Sequence, residues 1–408
     1  MKKVLLITKT PCYPLHSGGA LAQYYFIDGL KDSVQFVLCT EAGNQKEVEN
    51  LEELKKIQPS LNIYYSRSFS SQTITTFKQK IKSRISKILF KKPSLKADVN
   101  ADDFQDDYFE HVDHVPNLSF IELINEVIKI ERIDFLQFDF YDTIDLCFAV
   151  PRHIKKIFIC HEVRFKRLKL AFDTSELSAE YKNYLIEKTE LFERSCIRQM
   201  DEVVVFNEDD AGLLKDDCKS INVSPFGIPD EVIFNNELSN EYNRFLFVGG
   251  ESHTPNKLGL MWFLDEIYIP RISETEYPVY IVGSWSEEFI NKYDTFSKII
   301  FTGKVTSVES WFEDSILINP ITTGAGLRTK VLQAFANKVP VMSTPFGAEG
   351  CYTQDHKKHL ALFENGNDFI RLLKTSDFKR IASAGYEYYN REFNKKKLLD
   401  IRKNIILR

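Results

Sequence analysis

Asn319–Gly350, NPITTGAGLRTKVLQAFANKVPVMSTPFGAEG, reads as a strand end, a glycine loop, a helix, a strand and a second glycine loop. Gly324 and Gly326 stand two apart and favour backbone angles that no regular element uses. From Leu327 to Ala336 most residues are strong helix formers, with Leu327, Val331, Leu332, Phe335 and Ala336 on one apolar stripe. Val339-Pro-Val-Met-Ser then reads as a short buried strand. Such a unit brings free backbone N–H groups and the positive end of a helix dipole to one point, an arrangement suited to phosphate. Arg328 and Lys330 fall in the first turn, where the dipole disfavours each cation by about 0.3–1 kcal/mol. An anion placed there removes that cost. Residues two apart lie on nearly opposite sides of a helix, so Lys330 is the first choice for the phosphate and Arg328 the second. Two solvated charges on an ordinary helix are the alternative.

The chain has 408 residues, room for two domains of ordinary size. A hydrophobic share of 43% and a charged share of 27% place it among soluble globular proteins, and a net charge of −5 gives no case for nucleic-acid binding. The seven cysteines are scattered, never spaced Cys-x2-Cys, and mostly set in apolar runs. Buried reduced thiols fit this better than disulfides or a zinc site. The start, MKKVLLITKTPCYP, is too short in its apolar part for a signal peptide, and no run approaches the ~18 residues of a membrane span. The expected location is the cytoplasm.

Lys3–Thr8 reads as a buried strand, followed by a loop to Gly19, a helix over Ala20–Leu30 and a strand over Val34–Cys39. Further strands are expected at Asn62–Tyr65, Phe135–Phe138, Lys156–Cys160, Glu202–Phe206 and Ile221–Val223, with helical patterns between them. Asn207 is a suitable N-cap for a helix over Glu208–Leu214, and Glu176–Met200 reads as one long helix. After Pro225-Phe-Gly-Ile-Pro229 a second alternating series begins, with strands at Arg244–Val248, Pro278–Val282, Ile299–Phe301, Ile316–Ile318 and Val339–Met342. Strand alternating with helix predicts mostly parallel sheets, here two doubly wound ones. The first domain is placed at 1–225 and the second at 226–385. A C-terminal helix at 386–408 is expected to pack back on the first domain.

An insertion interrupts the first series. From Ser71 to Ala97 there are eight basic residues and no acidic one, and Phe77, Ile81, Ile85 and Ile88 recur at helical spacing. A basic amphipathic helix over 77–92 would lie on an anionic membrane surface, at about 1 kcal/mol per basic residue, or else cover the core. On the first reading the protein is peripheral at the inner face of the membrane. His111 and His114 have a metal-like spacing but no third ligand near them in sequence.

Two open α/β domains, one with a Gly-Gly loop and the other with a phosphate loop, predict a ligand in the cleft between them. The series FLFVGGESHTPNKLGLMWFLDEIYIPRI, VYIVGSW, IIFTGKVTSVESWFEDS and Asn319–Gly350 resembles the GT-B glycosyltransferases of retaining family 4. PLHSGGALAQ, FICHEV, VVVFNEDDAGLL and SPFGIP resemble the corresponding segments of that family's first domain. The resemblance covers most of the chain and is fullest in the second domain. It implies the GT-B fold, two Rossmann-like domains facing across a cleft. The implied activity is transfer of a hexose-type sugar from a nucleotide sugar to a hydroxyl of a glycan or lipid-linked acceptor, in polysaccharide or glycoconjugate synthesis. Retention comes with the family.

The same resemblance assigns residues. Gly18 and Gly19 would lie beside the donor diphosphate or the acceptor, and Gly324, Gly326 and Lys330 would hold the diphosphate. Gly303 and Val305 would meet the base, and Gln333 would meet the ribose. His161 would contact the transferred sugar, making it and Lys330 the catalytic pair. Fixed positive potential at the departing diphosphate suits this chemistry without a metal or a cofactor, and no Asp-x-Asp occurs in the chain. UDP and GDP donors are both open. Gln333 stands where the family has the second Glu of its Glu-x7-Glu pair, and Ala325 where it has the first. That departure motivates one alternative, a weakened nucleotide-sugar binder. A GT-B-fold sugar-nucleotide 2-epimerase is the other, with only His161-Glu162 to supply its acid–base groups.

Overall fold

The computed structural model describes residues 1–67, 117–172, 177–234, 237–324, 326–351 and 358–407. The insertion at 71–97, the helix expected over 77–92, His111, His114 and Ala325 lie outside them.

Among the described residues the strands form two all-parallel sheets. The first holds β1 (Lys2–Ile7), β2 (Val34–Ala42), β3 (Asn62–Arg67), β4 (Phe135–Asp139), β5 (Lys155–Cys160), β6 (Glu202–Val205) and β7 (Ile221–Val223), in the order 3-2-1-4-5-6-7. The second holds β8 (Arg244–Val248), β9 (Val279–Val282), β10 (Ile299–Gly303), β11 (Ser315–Asn319), β12 (Val341–Ser343) and β13 (Ala361–Leu362), in the order 10-9-8-11-12-13. Each is therefore a doubly wound sheet, with its order reversing beside its own first strand. The central strands β4 and β11 are buried at every residue, whereas the edge strand β3 is half exposed. Helices cover both faces in the first domain, which is why its inner strands read as unbroken apolar runs.

The helices start where polar side chains cap them. Ser17 accepts the N–H of Ala20, so the first helix runs from Gly18 to Leu30 and takes in both glycines assigned above to a loop. Asn207 caps Glu208–Leu214, and Ser178 starts Ala179–Ile197. The glycine-loop helix spans Thr329–Ala336, two residues later than Leu327, and Arg328 occupies its N-cap position with non-helical φ −81° and ψ 72°. It ends in a Schellman motif: Lys338 has φ 56°, and the N–H groups of Lys338 and Val339 return to Phe335 and Ala334. That return occupies Val339, so the next strand begins at Val341. The cysteines are unpaired, six of them buried, as their apolar settings predict.

The chain passes between the sheets twice. On the way out, the Ile228 N–H donates to the Tyr389 hydroxyl at 2.7 Å. On the way back, Phe378–Glu392 packs by Gly385 against Phe335, and Lys395–Leu407 packs by Leu399 against Gly29 of the first helix. Asn337 ties the outgoing segment to the glycine-loop helix. Its Oδ1 accepts the Phe234 N–H at 2.6 Å, and its Nδ2 donates to the carbonyls of Val232 at 3.1 Å and Gln333 at 2.8 Å. Asn337 is fully buried. Asn337→Ala leaves the Phe234 N–H and the Val232 carbonyl without this partner and is expected to cost about 1–3 kcal/mol, read as a lower urea midpoint at unchanged slope.

Candidate active site

The cleft forms where the carboxyl ends of the two sheets face each other, and much of its lining leaves directly from a strand. Thr10 follows β1, Phe140 and Tyr141 follow β4, and His161 and Glu162 follow β5. Gly249 and Gly250 follow β8, and Ile321 and Gly324 follow β11. In open α/β sheets this crevice, at the point where strand order reverses, is where ligands bind. Its volume is about 710 Å³, within the range of small-molecule sites.

Gly18, Gly19, His161, Gly324, Gly326, Arg328, Lys330 and Gln333 all line this space. The two halves meet closely. A Cβ at Gly18 would fall 2.7 Å from Thr329 Oγ1, and one at Gly326 would fall 3.2 Å from the His161 carbonyl. Gly324 and Gly326 have φ of +107° and +86°, the left-handed region that the loop's spacing anticipates. Gly303 and Val305 are not among the lining residues. They stand beside the cleft at the end of β10, where the charge of Lys304 helps to lower the pKa of His16, after burial.

Lys330 is the electrostatic centre. It lies in the first turn of Thr329–Ala336, a helix whose N-terminus no side chain caps. Its Nζ donates to Asn256 Oδ1 at 2.8 Å and sits 4.9 Å from the Phe247 ring centre. Among the described residues no carboxylate pairs with it. Burial, and then repulsion from Arg328, lower its pKa to about 7. Gln333 is one turn further on the same face. Arg328 differs from the reading of two cations in one turn: its guanidinium lies 4.8 Å over Phe346, with Nη2 3.7 Å from Glu349 Oε2. The dipole's penalty in the first turn falls on Lys330 alone.

Opposite, the His161 ring stacks on Phe140 at 3.9 Å between centroids and meets the edge of Phe206 at 5.1 Å. Phe140 holds φ 71° and ψ 157°, a region nearly reserved for glycine and costing on the order of 1–3 kcal/mol. The strain turns its ring between Gly19 and His161. Glu162, the next residue, turns to two arginines. It pairs with Arg167 and stands 3.7 Å from Arg164, and these cations hold its carboxyl below the usual range against the effect of burial. The helix carrying both arginines, Arg164–Phe172, is anchored by buried Glu193, which accepts the N–H groups of Arg164 and Phe165 at 3.1 and 3.2 Å. Burial nonetheless pushes the Glu193 carboxyl up to about 7.

Sequence reasoning does not pick out Asn256, Phe140, Thr329 or the Glu162–Arg167 pair. Asn256 sits inside the quoted HTPNKLG segment, so a signal was present. The positive φ of Phe140 has none, because no residue type announces it.

Comparison with known proteins follows this geometry. Residues 242–375 match the family described as Glycosyl transferases group 1. An uncharacterized 44.6 kDa protein in the cps region of Klebsiella pneumoniae is 29% identical over 171 residues, which is 38% of this chain and 43% of that protein. The match thus spans less than half the length of that relative. Among solved structures, TarM superposes with a TM-score of 0.67 at 13% identity, over 100% of this chain and 99% of its own. WaaG, a glycosyltransferase involved in lipopolysaccharide biosynthesis, gives 0.62 at 12%, over 99% of both chains. The pneumococcal O-GlcNAc transferase GtfA gives 0.60 at 9%, over 100% of this chain and 98% of its own. The chain has the GT-B fold, and residues 242–375 of it match the group 1 glycosyl transferases.

Proposed function

We propose that the protein is a glycosyltransferase that moves a hexose-type sugar from a nucleotide sugar to a hydroxyl of a glycan or lipid-linked acceptor, with retention and without a metal. The observation that carries this is Lys330: a part-buried ammonium with no acidic partner among the described residues, at an uncapped helix N-terminus, in a cleft lined by both domains. Such a point is stabilised by an anion, and most by the charge that builds on a departing diphosphate. The neighbours support the ligand class. A TarM variant from S. aureus was solved with UDP and alpha-GlcNAc-glycerol, and GtfA with UDP and GlcNAc. WaaG and the cps-region relative support a place in surface-polysaccharide or glycoconjugate synthesis.

In this reading the diphosphate lies on Lys330, Gly324 and Gly326, with Arg328 as a more distant cation. Gln333 accepts from the ribose, the base extends towards Gly303 and Val305, and the sugar meets His161. Gly18 and Gly19 let the first domain's backbone close over the donor. Among the described residues no helix is long and apolar enough to cross a membrane. Contact with the inner face of a membrane through 77–92 belongs to the proposal alone.

Lys330→Ala is expected to lower turnover of the accepted UDP- or GDP-sugar by about 10²–10³-fold, measured as sugar transfer or donor hydrolysis, with the unfolding midpoint preserved. Near-normal turnover would remove Lys330 from the phosphate site. Its lowered pKa gives a second test. Diphosphate binding raises that pKa, so affinity declines as pH rises from about 7, and binding at pH 8 takes up about one proton. Calorimetry with UDP and GDP in two buffers of different ionisation enthalpy reads this uptake, and Lys330→Arg, which stays charged, should abolish it. Gln333 favours a second reading, a weakened binder, because a neutral amide forms a hydrogen bond about half as strong as a carboxylate does. Gln333→Glu is expected to tighten donor binding by less than about tenfold, roughly 1.4 kcal/mol, in titration; a larger gain supports the weakened site.

A further inference from the structure

A line of buried polar side chains, none of them used so far, runs from the C-terminal helix to the back of His161. Arg402, on Lys395–Leu407, is 1% exposed and lies 4.6 Å over the Phe26 ring of the first helix. Its Nη2 points to Gln137 Oε1 at 3.5 Å. Gln137 Nε2 in turn donates to Asp139 Oδ2 at 3.3 Å, and Asp139 Oδ1 stands 3.6 Å from His161 Nε2. Gln137 is 4% exposed and Asp139 1%. Both lie on β4, whose alternation puts residues two apart on one face of the sheet.

We propose that Arg402, acting through Gln137 and Asp139, fixes which nitrogen of His161 carries the proton, so that docking of the C-terminal helix is part of assembling the site. The chemistry of each link admits one orientation. The Gln137 carbonyl must face the guanidinium and its NH2 the carboxylate, since the reverse would set donor against donor and acceptor against acceptor. A carboxylate as buried as Asp139 is costly unless an opposite charge answers it, and Arg402 supplies one across the amide. His161 Nε2 is buried and makes no hydrogen bond, and this carboxylate stands 3.6 Å from it. A bare nitrogen lone pair there would repel Asp139 Oδ1. In the neutral ring the proton therefore sits on Nε2, and Nδ1 is the acceptor. Stacking on Phe140 and edge contact with Phe206 hold the ring in this setting.

The other ionisable groups around the line do not compete. Burial, and then the charge of Asp139, push the Cys12 thiol up to about 12, and Glu162, next to His161 in sequence, is taken by Arg167. Arg402, Gln137 and Asp139 are positioning residues. What the histidine then does to a sugar rests on the transferase reading, but its tautomer does not.

The test uses the full chain with 15N-labelled histidine, its ring nitrogens read by long-range NMR correlation and the His161 signal assigned by its loss in His161→Gln. The wild type is expected to show a protonated Nε2 and a bare Nδ1. Gln137→Leu and Arg402→Met should each shift both His161 ring nitrogens towards averaged values, while the other seven of the eight histidines keep theirs. A wild-type proton on Nδ1, or His161 signals unmoved in either folded variant, would overturn the proposal. Should Arg402→Met disturb all eight histidines, and so be unfolded, Gln137→Leu decides alone. No donor is needed, so failure of the transferase reading leaves this result standing, and the converse holds.

Discussion

An ammonium group without a counter-ion among the described residues is the constraint on which the cleft depends. Lys330 sits where burial, Arg328 and the positive end of its own helix all act against its charge, and among those residues it is answered by the Asn256 carbonyl and the Phe247 face. A protein core normally resolves such a site with an acid or by exposing the lysine. Here neither happens, and both domains contribute walls around it. A ligand's negative charge completes the site. The glycine loop, the uncapped helix and the first domain's Gly18 contact are the geometry through which that charge reaches it.

Phe140 and His161 show a second kind of stored cost. The Phe140 backbone is held in a region that penalises it, and its ring is the platform for the histidine. Strain at a binding cleft is common because the surrounding fold over-determines it. In this chain the determinants are visible: Gly19, having no side chain, leaves the space the ring fills, and Thr143 Oγ1 donates to the carbonyls of Asp139 and Phe140.

Much of this architecture is legible from residues alone, for physical reasons that differ by element. Buried parallel strands such as Val4–Ile7 and Ile316–Ile318 announce themselves as apolar runs, and the ends of helices with Asn or Ser caps can be placed within a few residues. The glycine loop at Gly324 and Gly326 is legible because left-handed angles select glycine. What escaped depends on contacts distant in sequence. Asn256 matters through Lys330, 74 positions away. The start at Thr329 follows from the backbone angles of Arg328, which its composition does not encode. Valine at 339 favours a strand, and the Schellman return at Lys338 overrides that preference.

The two passages between the domains are bound to each other as well as to the sheets. The Tyr389 hydroxyl holds the outgoing backbone at Ile228, while Phe393 and Asn394 make the turn by which the chain returns. The close approaches of Gly18 to Thr329 and of Gly326 to the His161 carbonyl join the same two halves again at the cleft. A ligand that touches both walls therefore bridges halves that two covalent passages already hold together.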